Sequence, residues 1–357
     1  IITAAEQNGL EPALMAPTGR AAKRLAISSG RDADTIHKAL EASVRETGRT
    51  YFERNEANPL EEDLIIVDEA SMLDVSLFYH LLCALKDGAR LILVGDIDQL
   101  PPVGAGEPLK DLMSWGYVPI VRLKRIFRQE EGSGIVENAA LIRKGEMCVP
   151  DEAGEFRIVY AADDEDAYRI VMDLCRELNY GNEENKMLLQ VLSPMYRGVC
   201  GVDHLNESLQ EMIHGEKVPD GMKFFPGDKV MQTRNDYEKG IYNGDVGTVW
   251  TATPQKVFVR YFDKEVVYEG EERFDLRLAY AVTVHKSQGS EYETVIFILR
   301  PSQHNMLQRN LLYTGVTRAR KNTILVTAPD ALRRALAIQH TGNRYSLFLP
   351  FLNHEAL

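Results

Sequence analysis

Two adjacent carboxylates, Asp68 and Glu69, stand in the run V-D-E-A-S at 67–71, directly after the apolar stretch 63–67. Paired acids at the end of a buried strand suit metal-assisted phosphoryl transfer. Asp68 would hold Mg2+, often through water, and Glu69 would activate the attacking water. The same pair could instead be the acidic start of a helix, favoured there by the dipole. About 30 residues on, a second apolar stretch, 90–94, runs into G-D-I-D-Q-L-P-P, which places Gln99 after another strand end. An amide there can sense a γ-phosphate and orient water; taken alone, the segment would be a proline-stiffened loop. The order of the two segments favours a site, because open α/β sheets bind ligands at the carboxyl edge of their strands.

The surrounding pattern supplies such a sheet. Residues 1–9 read as a helix ending at Gly9, residues 13–16 as a strand stopped by Pro17, and residues 19–28 as a helix. A strand at 63–67, a helix through about residue 85 and a strand at 90–94 continue the alternation. Short apolar strands between helices predict an α/β domain with a parallel sheet. The polar stretch 41–60 predicts an inserted hairpin carrying Tyr51 and Phe52. The alternation restarts near residue 120, with strands at 120–123, 156–160 and 188–192 and helices near 133–144, 163–178 and 203–213. From 225 to 274 it gives way to short β segments at 229–233, 246–250, 256–261 and 265–268. Gly227-Asp228, Asn243-Gly244 and Phe262-Asp263 supply the turns. A small β-barrel is therefore expected inside a second α/β domain, which resumes near Arg277 and ends with strands at 295–299 and 323–327.

A chain of 357 residues suits two or three domains, and 45% hydrophobic with 26% charged residues gives each a core. The net charge of −12 argues against a broadly basic nucleic-acid surface, although a channel needs only local Lys and Arg. Cys83, Cys148, Cys175 and Cys200 form no C-x-x-C, which points to reduced thiols in a cytoplasmic protein without zinc or iron–sulfur chemistry. No apolar run reaches the roughly 18 residues of a membrane span. The first residues lack a signal-peptide pattern and a starting Met, and they read as the middle of a helix.

Six ordered segments carry a family resemblance: A-P-T-G-R-A-A (16–22), V-D-E-A-S (67–71), G-D-I-D-Q-L-P-P-V (95–103), R-I-F-R-Q (125–129), T-V-H-K-S-Q-G-S-E-Y (283–292) and Y-T-G-V-T-R-A-R (313–320). They resemble successive motifs of superfamily 1 helicases, closest in order and wording to the RecD-like branch (exodeoxyribonuclease V alpha-subunit family), which moves 5′ to 3′. The resemblance runs from about residue 1 to about residue 330. It implies two RecA-like, P-loop NTPase-type domains, at 1–119 and at 120–224 with 275–357, and an SH3-type barrel at 225–274.

The resemblance also implies roles, with ATP and Mg2+ as cofactors. Asp68 and Glu69 align with the Walker B pair, Gln99 with the γ-phosphate-sensing glutamine, and Arg128 and Arg318 with two arginines presented to the γ-phosphate from the second domain. A guanidinium always carries charge and donates in a fork; the alternative for either arginine is a surface ion pair. Gly289 and Glu291 align with the nucleotide-contacting end of their motif. Pro17, Thr18 and Gly19 align with a segment touching the DNA backbone, and Thr283, His285, Lys286 and Gln288 with the second domain's DNA-facing motif. His285 could also be a satisfied core histidine. His37 fits a further DNA-facing segment or a structural role. Tyr51 and Phe52 fit a strand-parting wedge, or an exposed pair that stabilises the hairpin. Arg234, Asn235, Tyr237 and Asn243 could face DNA from the barrel, or merely be solvated.

G-x-x-x-x-G-K-[ST], whose Lys and Ser/Thr would hold the phosphates and Mg2+, occurs nowhere in the chain. The expectation is a chain cut just after that motif, a first sheet with an open edge, and little or no ATP hydrolysis by the chain alone. The expected function is an ATP-dependent 5′-to-3′ DNA helicase of recombination and repair, acting on single-stranded DNA and duplex junctions, with nuclease or helicase subunits of a recombination complex as candidate partners. Alternatives are a non-catalytic DNA-binding subunit of a recombination nuclease and another superfamily 1 helicase, such as a conjugative relaxase-type enzyme.

Overall fold

The structure is a computed structural model that describes residues 1–44, 50–123, 132–219, 221–236, 238–262, 264–339 and 348–353. Two compact units are present, residues 1–123 with 342–357 and residues 124–341.

In the first unit, α1 (Ile2–Gln7) leads to β1 (Pro12–Ala16), α2 (Gly19–Ser29), β2 (Asp34–Thr35) and α3 (Ile36–Ala39). The expected hairpin follows as β3 (Ala42–Val44) against β4 (Thr50–Phe52), antiparallel with Ser43 opposite Tyr51. Next come β5 (Leu64–Val67), α4 (Val75–Cys83), β6 (Arg90–Leu93) and α5 (Pro108–Trp115). The sheet is parallel, in the order β2-β1-β5-β6. β5 is buried along its whole length, whereas Leu91, Ile92 and Leu93 of β6 are only half-buried. Among the described residues β2 and β6 each pair on one side only, as the two edges of this sheet. Met15, Ile65, Val67, Phe78 and Leu81 form the core beneath this sheet.

The second unit contains α6 (Gly134–Lys144), β7 (Phe156–Tyr160), α7 (Asp164–Glu177), α8 (Glu183–Leu188), β8 (Leu189–Ser193) and α9 (Val202–His214). Then β9 (Lys229–Gln232), β10 (Val246–Ala252), β11 (Lys256–Arg260), β12 (Glu265–Glu269) and β13 (Leu276–Leu278) make an antiparallel sheet ordered β12-β11-β10-β9-β13. Its alternating strands point Val249, Val257, Val259, Val266 and Tyr268 into a core of their own. The chain returns through β14 (Ala281–Thr283), β15 (Tyr292–Leu299), α10 (Arg309–Val316), β16 (Ala319–Thr327) and α11 (Pro329–Ala337). β14-β8-β15-β16-β7 is a five-stranded parallel sheet.

Two expectations need correction. Residues 120–123 are irregular, and Val121 and Leu123 are exposed, so no neighbouring strand covers their apolar side chains. The last helix, α12 (Phe348–Leu352), falls within the range expected for the second α/β domain but packs in the first unit, where the Phe348 ring lies 5.8 Å from Phe78, edge to face.

Candidate functional site

β5 delivers the paired carboxylates. The Asp68 N–H donates to the Met15 carbonyl at 2.9 Å, and the Glu69 N–H donates to Asp68 Oδ1 at 2.9 Å. Glu69 then adopts φ 52° and ψ 36°, the left-handed region, one of few non-glycine residues to do so. Holding a side-chain-bearing residue there costs about 1–3 kcal/mol and is common where a site dictates backbone geometry. The turn is locked to the neighbouring strand, since the Ala70 N–H donates to the Val94 carbonyl at 2.8 Å. Gly95 follows because a Cβ at that position would sit 2.8 Å from the Ser71 nitrogen and 3.2 Å from that of Ala70. Close approach of the two strand ends therefore demands glycine.

Gln99 is set by an Asx turn, in which the Asp98 N–H donates to Asp96 Oδ1 at 3.0 Å and the Gln99 N–H to the Asp96 carbonyl at 3.2 Å. Its Oε1 and the Ser71 hydroxyl are buried without a hydrogen-bond partner among the described residues. Both line one small cavity, about 10 Å³, with Glu107 and Lys110. Sequence reasoning missed Ser71, which no motif role singled out. A larger cavity, about 470 Å³, opens beside Asp68 and is lined also by Ile1, Thr3, Leu25, Ile66 and Val94. Among the described residues no cluster of three or more His, Cys, Asp or Glu could hold a metal by itself. One carboxylate at the mouth of a roomy cavity fits Mg2+, which keeps most of its ligands as water and phosphate oxygen.

Thr18 follows β1, at the same carboxyl edge of the sheet as Asp68. Its hydroxyl oxygen caps α2 by accepting from the Ala21 N–H at 3.3 Å. His37 sits on the hairpin side, its ring 5.9 Å from Phe52, and burial lowers its pKa against the opposing charge of Asp74. Phe52 is 8% exposed, belongs to the first unit's core and lies 4.5 Å from the His80 ring. The exposed Tyr51–Phe52 pair is thus corrected: alternation in β4 sends Phe52 inward and leaves Tyr51 half-buried.

In the second unit the DNA-facing candidates come together from different elements. Thr283 ends β14, and its hydroxyl accepts from the Lys286 N–H at 3.2 Å. Lys286 Nζ donates to Asn243 Oδ1 at 2.7 Å, and the Asn243 N–H donates to Asn235 Oδ1 at 2.9 Å. A loop of the antiparallel sheet thereby meets the 283–288 segment. His285 is half-buried and Gln288 buried. Arg234 is exposed and only loosely paired with Asp275, at 3.5 Å. Glu291 and Arg318 precede β15 and β16, so they lie at the edge of the parallel sheet opposite to Thr283. Gly289, at φ 70°, turns the connecting segment between these edges. Arg318 is 2% exposed, with Nε donating to the Thr314 carbonyl and Nη1 to the Ser290 carbonyl, both at 3.1 Å. Arg128 and Tyr237 lie outside the described residues.

Residues 1–157 match an AAA domain, residues 205–261 an ATP-dependent RecD-like DNA helicase SH3 domain, and residues 278–326 a UvrD-like helicase C-terminal domain. The chain is 38% identical over 347 residues to the ATP-dependent RecD2 DNA helicase of Deinococcus radiodurans, spanning 96% of this chain and 46% of that protein. It is 32% identical to the RecBCD enzyme subunit RecD of Mycolicibacterium smegmatis, over 94% of this chain and 66% of the relative. The chain belongs to the RecD-like superfamily 1 helicases. It spans about half to two thirds of the length of these RecD-like relatives. The RecD-like fold also resembles Bacteroides Pif1 bound to single-stranded DNA, with a TM-score of 0.55 at 20% identity over 90% of this chain and 84% of that one. The AAA and UvrD-like matches contain the segments with the paired carboxylates and with Thr283–Arg318, and family membership implies use of ATP. Among the described residues no helix is long and apolar enough to cross a membrane.

Proposed function

We propose that the chain is the motor core of an ATP-dependent DNA helicase that moves 5′ to 3′ along single-stranded DNA. The observation that carries this reading is the turn after β5, where Glu69 is held in a left-handed conformation beside Asp68 and one strand away from Gln99, whose Oε1 has no hydrogen-bond partner among the described residues. A binding module has no use for that arrangement. Asp68 would hold Mg2+, and the ion when bound would neutralise charge on the phosphates. Glu69 accepts a proton from the attacking water, Gln99 orients that water, and Arg128 and Arg318 answer to the γ-phosphate. Arg318 donates from Nε and Nη1 to two backbone carbonyls, which orients the guanidinium, and its five N–H donors exceed the two used there. Residues 283–291 run from the DNA-facing edge of the second sheet to the edge carrying Glu291 and Arg318, which gives nucleotide state a route to the DNA grip. Thr18 with Pro17 and Gly19, and Thr283, His285, Lys286, Gln288, Asn235 and Asn243, supply the contacts to the strand. The Mycolicibacterium relative is a subunit of the RecBCD enzyme, which supports work beside partner subunits.

The test is ATP hydrolysis with and without single-stranded DNA. Because no G-x-x-x-x-G-K-[ST] occurs in the 357 residues, they alone are expected to hydrolyse little ATP. A version supplied with that motif ahead of α1 is expected to show DNA-stimulated hydrolysis. Robust hydrolysis by the 357 residues, or none by the version with the motif, contradicts the reading.

A further inference from the structure

Beside Lys286 lies a group of cations that no motif contains. β13 carries Arg277, whose side chain is 61% exposed and whose one ion pair among the described residues, to Asp203, is long at 3.9 Å. Arg260–Glu265 and Arg169–Asp166, by comparison, close to 2.5 and 2.9 Å. Lys223 reaches the same strand, donating from Nζ to the Leu276 carbonyl at 2.7 Å. Lys286 is pinned nearby on Asn243. Neither lysine forms an ion pair among the described residues. Burial first, and the positive charge of Arg277 second, lower the pKa of both. Like charges drawn together and partly desolvated destabilise one another unless an anion shares them. Their grouping in a chain of net charge −12 is not a consequence of general basicity.

We infer that Arg277 and Lys223 form a phosphate-binding subsite continuous with Lys286 and Asn243, gripping the backbone of the strand that the second unit holds. The inference rests on the nucleic-acid reading given above and adds to it the path of the strand: from the Arg234–Asn243 loop, across Lys286, to β13. A guanidinium that is exposed and weakly paired exchanges its distant carboxylate for a bidentate phosphate contact. Lys223, anchored on the backbone next to Arg277, adds a point charge.

The experiment measures binding of a fluorescently labelled oligothymidylate by anisotropy across a salt series. Arg277→Gln is expected to weaken binding about tenfold at low salt and to reduce the log–log salt slope by about 0.7, the signature of one lost single-strand phosphate contact. Arg277→Lys keeps most of the slope. Arg169→Gln, which removes an exposed arginine from α7, leaves affinity and slope unchanged. Parent-like affinity and slope in Arg277→Gln, with the parent itself binding, overturns the subsite and leaves the helicase reading standing. Failure of the parent to bind the oligonucleotide overturns both.

Discussion

Replacing Glu69 by Gln is expected to slow DNA-stimulated ATP hydrolysis by about 10²–10⁴-fold in a version supplied with a phosphate-binding loop, the range usual for loss of a general base. The amide has the size of the carboxylate and retains the same left-handed backbone, so the turn that connects β5 to the Val94 carbonyl stays in place. What it loses is the ability to take a proton from water. Asp68 is untouched, and nucleotide and oligonucleotide affinities should remain within a few-fold of the parent. Steady-state hydrolysis together with nucleotide binding checks this. A variant that hydrolyses at the parent rate would remove Glu69 from the chemistry, and one that loses nucleotide binding would make its role one of shape.

The second large effect is expected at Asp228, which is fully buried at the root of β9. Its carboxylate accepts from the Phe225 N–H at 2.7 Å and the Tyr280 hydroxyl at 2.9 Å, and it bonds His214 Nε2 at 2.8 Å and the Gln210 amide. Lys229, the next residue, sends Nζ in the other direction, donating to the Leu189 carbonyl and Gln190 Oε1, each at 3.0 Å, with the Tyr180 and Tyr292 rings alongside. This pair joins the antiparallel sheet to α9, β8 and β15 of the same unit. Asp228→Ala would leave several buried donors unpaired, and breaking a buried charged network by removing one member costs about 3–5 kcal/mol. Urea unfolding should show that loss. Oligonucleotide affinity should fall with it, because Asn243 and Lys286 approach each other from opposite sides of this junction. An Asp228→Ala protein of parent stability would show that the network is not what holds the two sheets in register.

Much of the fold is legible in the residues because period and punctuation agree. Short runs such as Leu64–Val67 and Leu189–Ser193, set between helical patterns, suit covered parallel strands, and Asn243-Gly244 and Gly227-Asp228 announce the change to antiparallel pairing. The apolar letters at 120–123 misled because hydrophobicity by itself does not provide a pairing partner. The position of Phe52 is not legible for a different reason: which face of a two-stranded hairpin packs against His37 and His80 depends on contacts distant in sequence. At the candidate site, ordered motifs point to Asp68, Glu69 and Gln99, but not to the left-handed turn that presents Glu69. Nor do they indicate that Lys286 is held by Asn243, since these residues are 43 apart along the chain. Asp228 and Lys229 read as turn and strand start; their burial is a property of the packing between two sheets. Arg277 and Lys223 belong to no motif, and only the third dimension gathers them beside Lys286.

The decisive measurement is strand separation by a version supplied with a phosphate-binding loop, on duplexes bearing a single-stranded tail at either the 5′ or the 3′ end. Unwinding is expected from the 5′ tail only, with ATP consumed and with the activity lost in Glu69→Gln. Unwinding from the 3′ tail, or equal unwinding from both, would contradict a 5′-to-3′ motor.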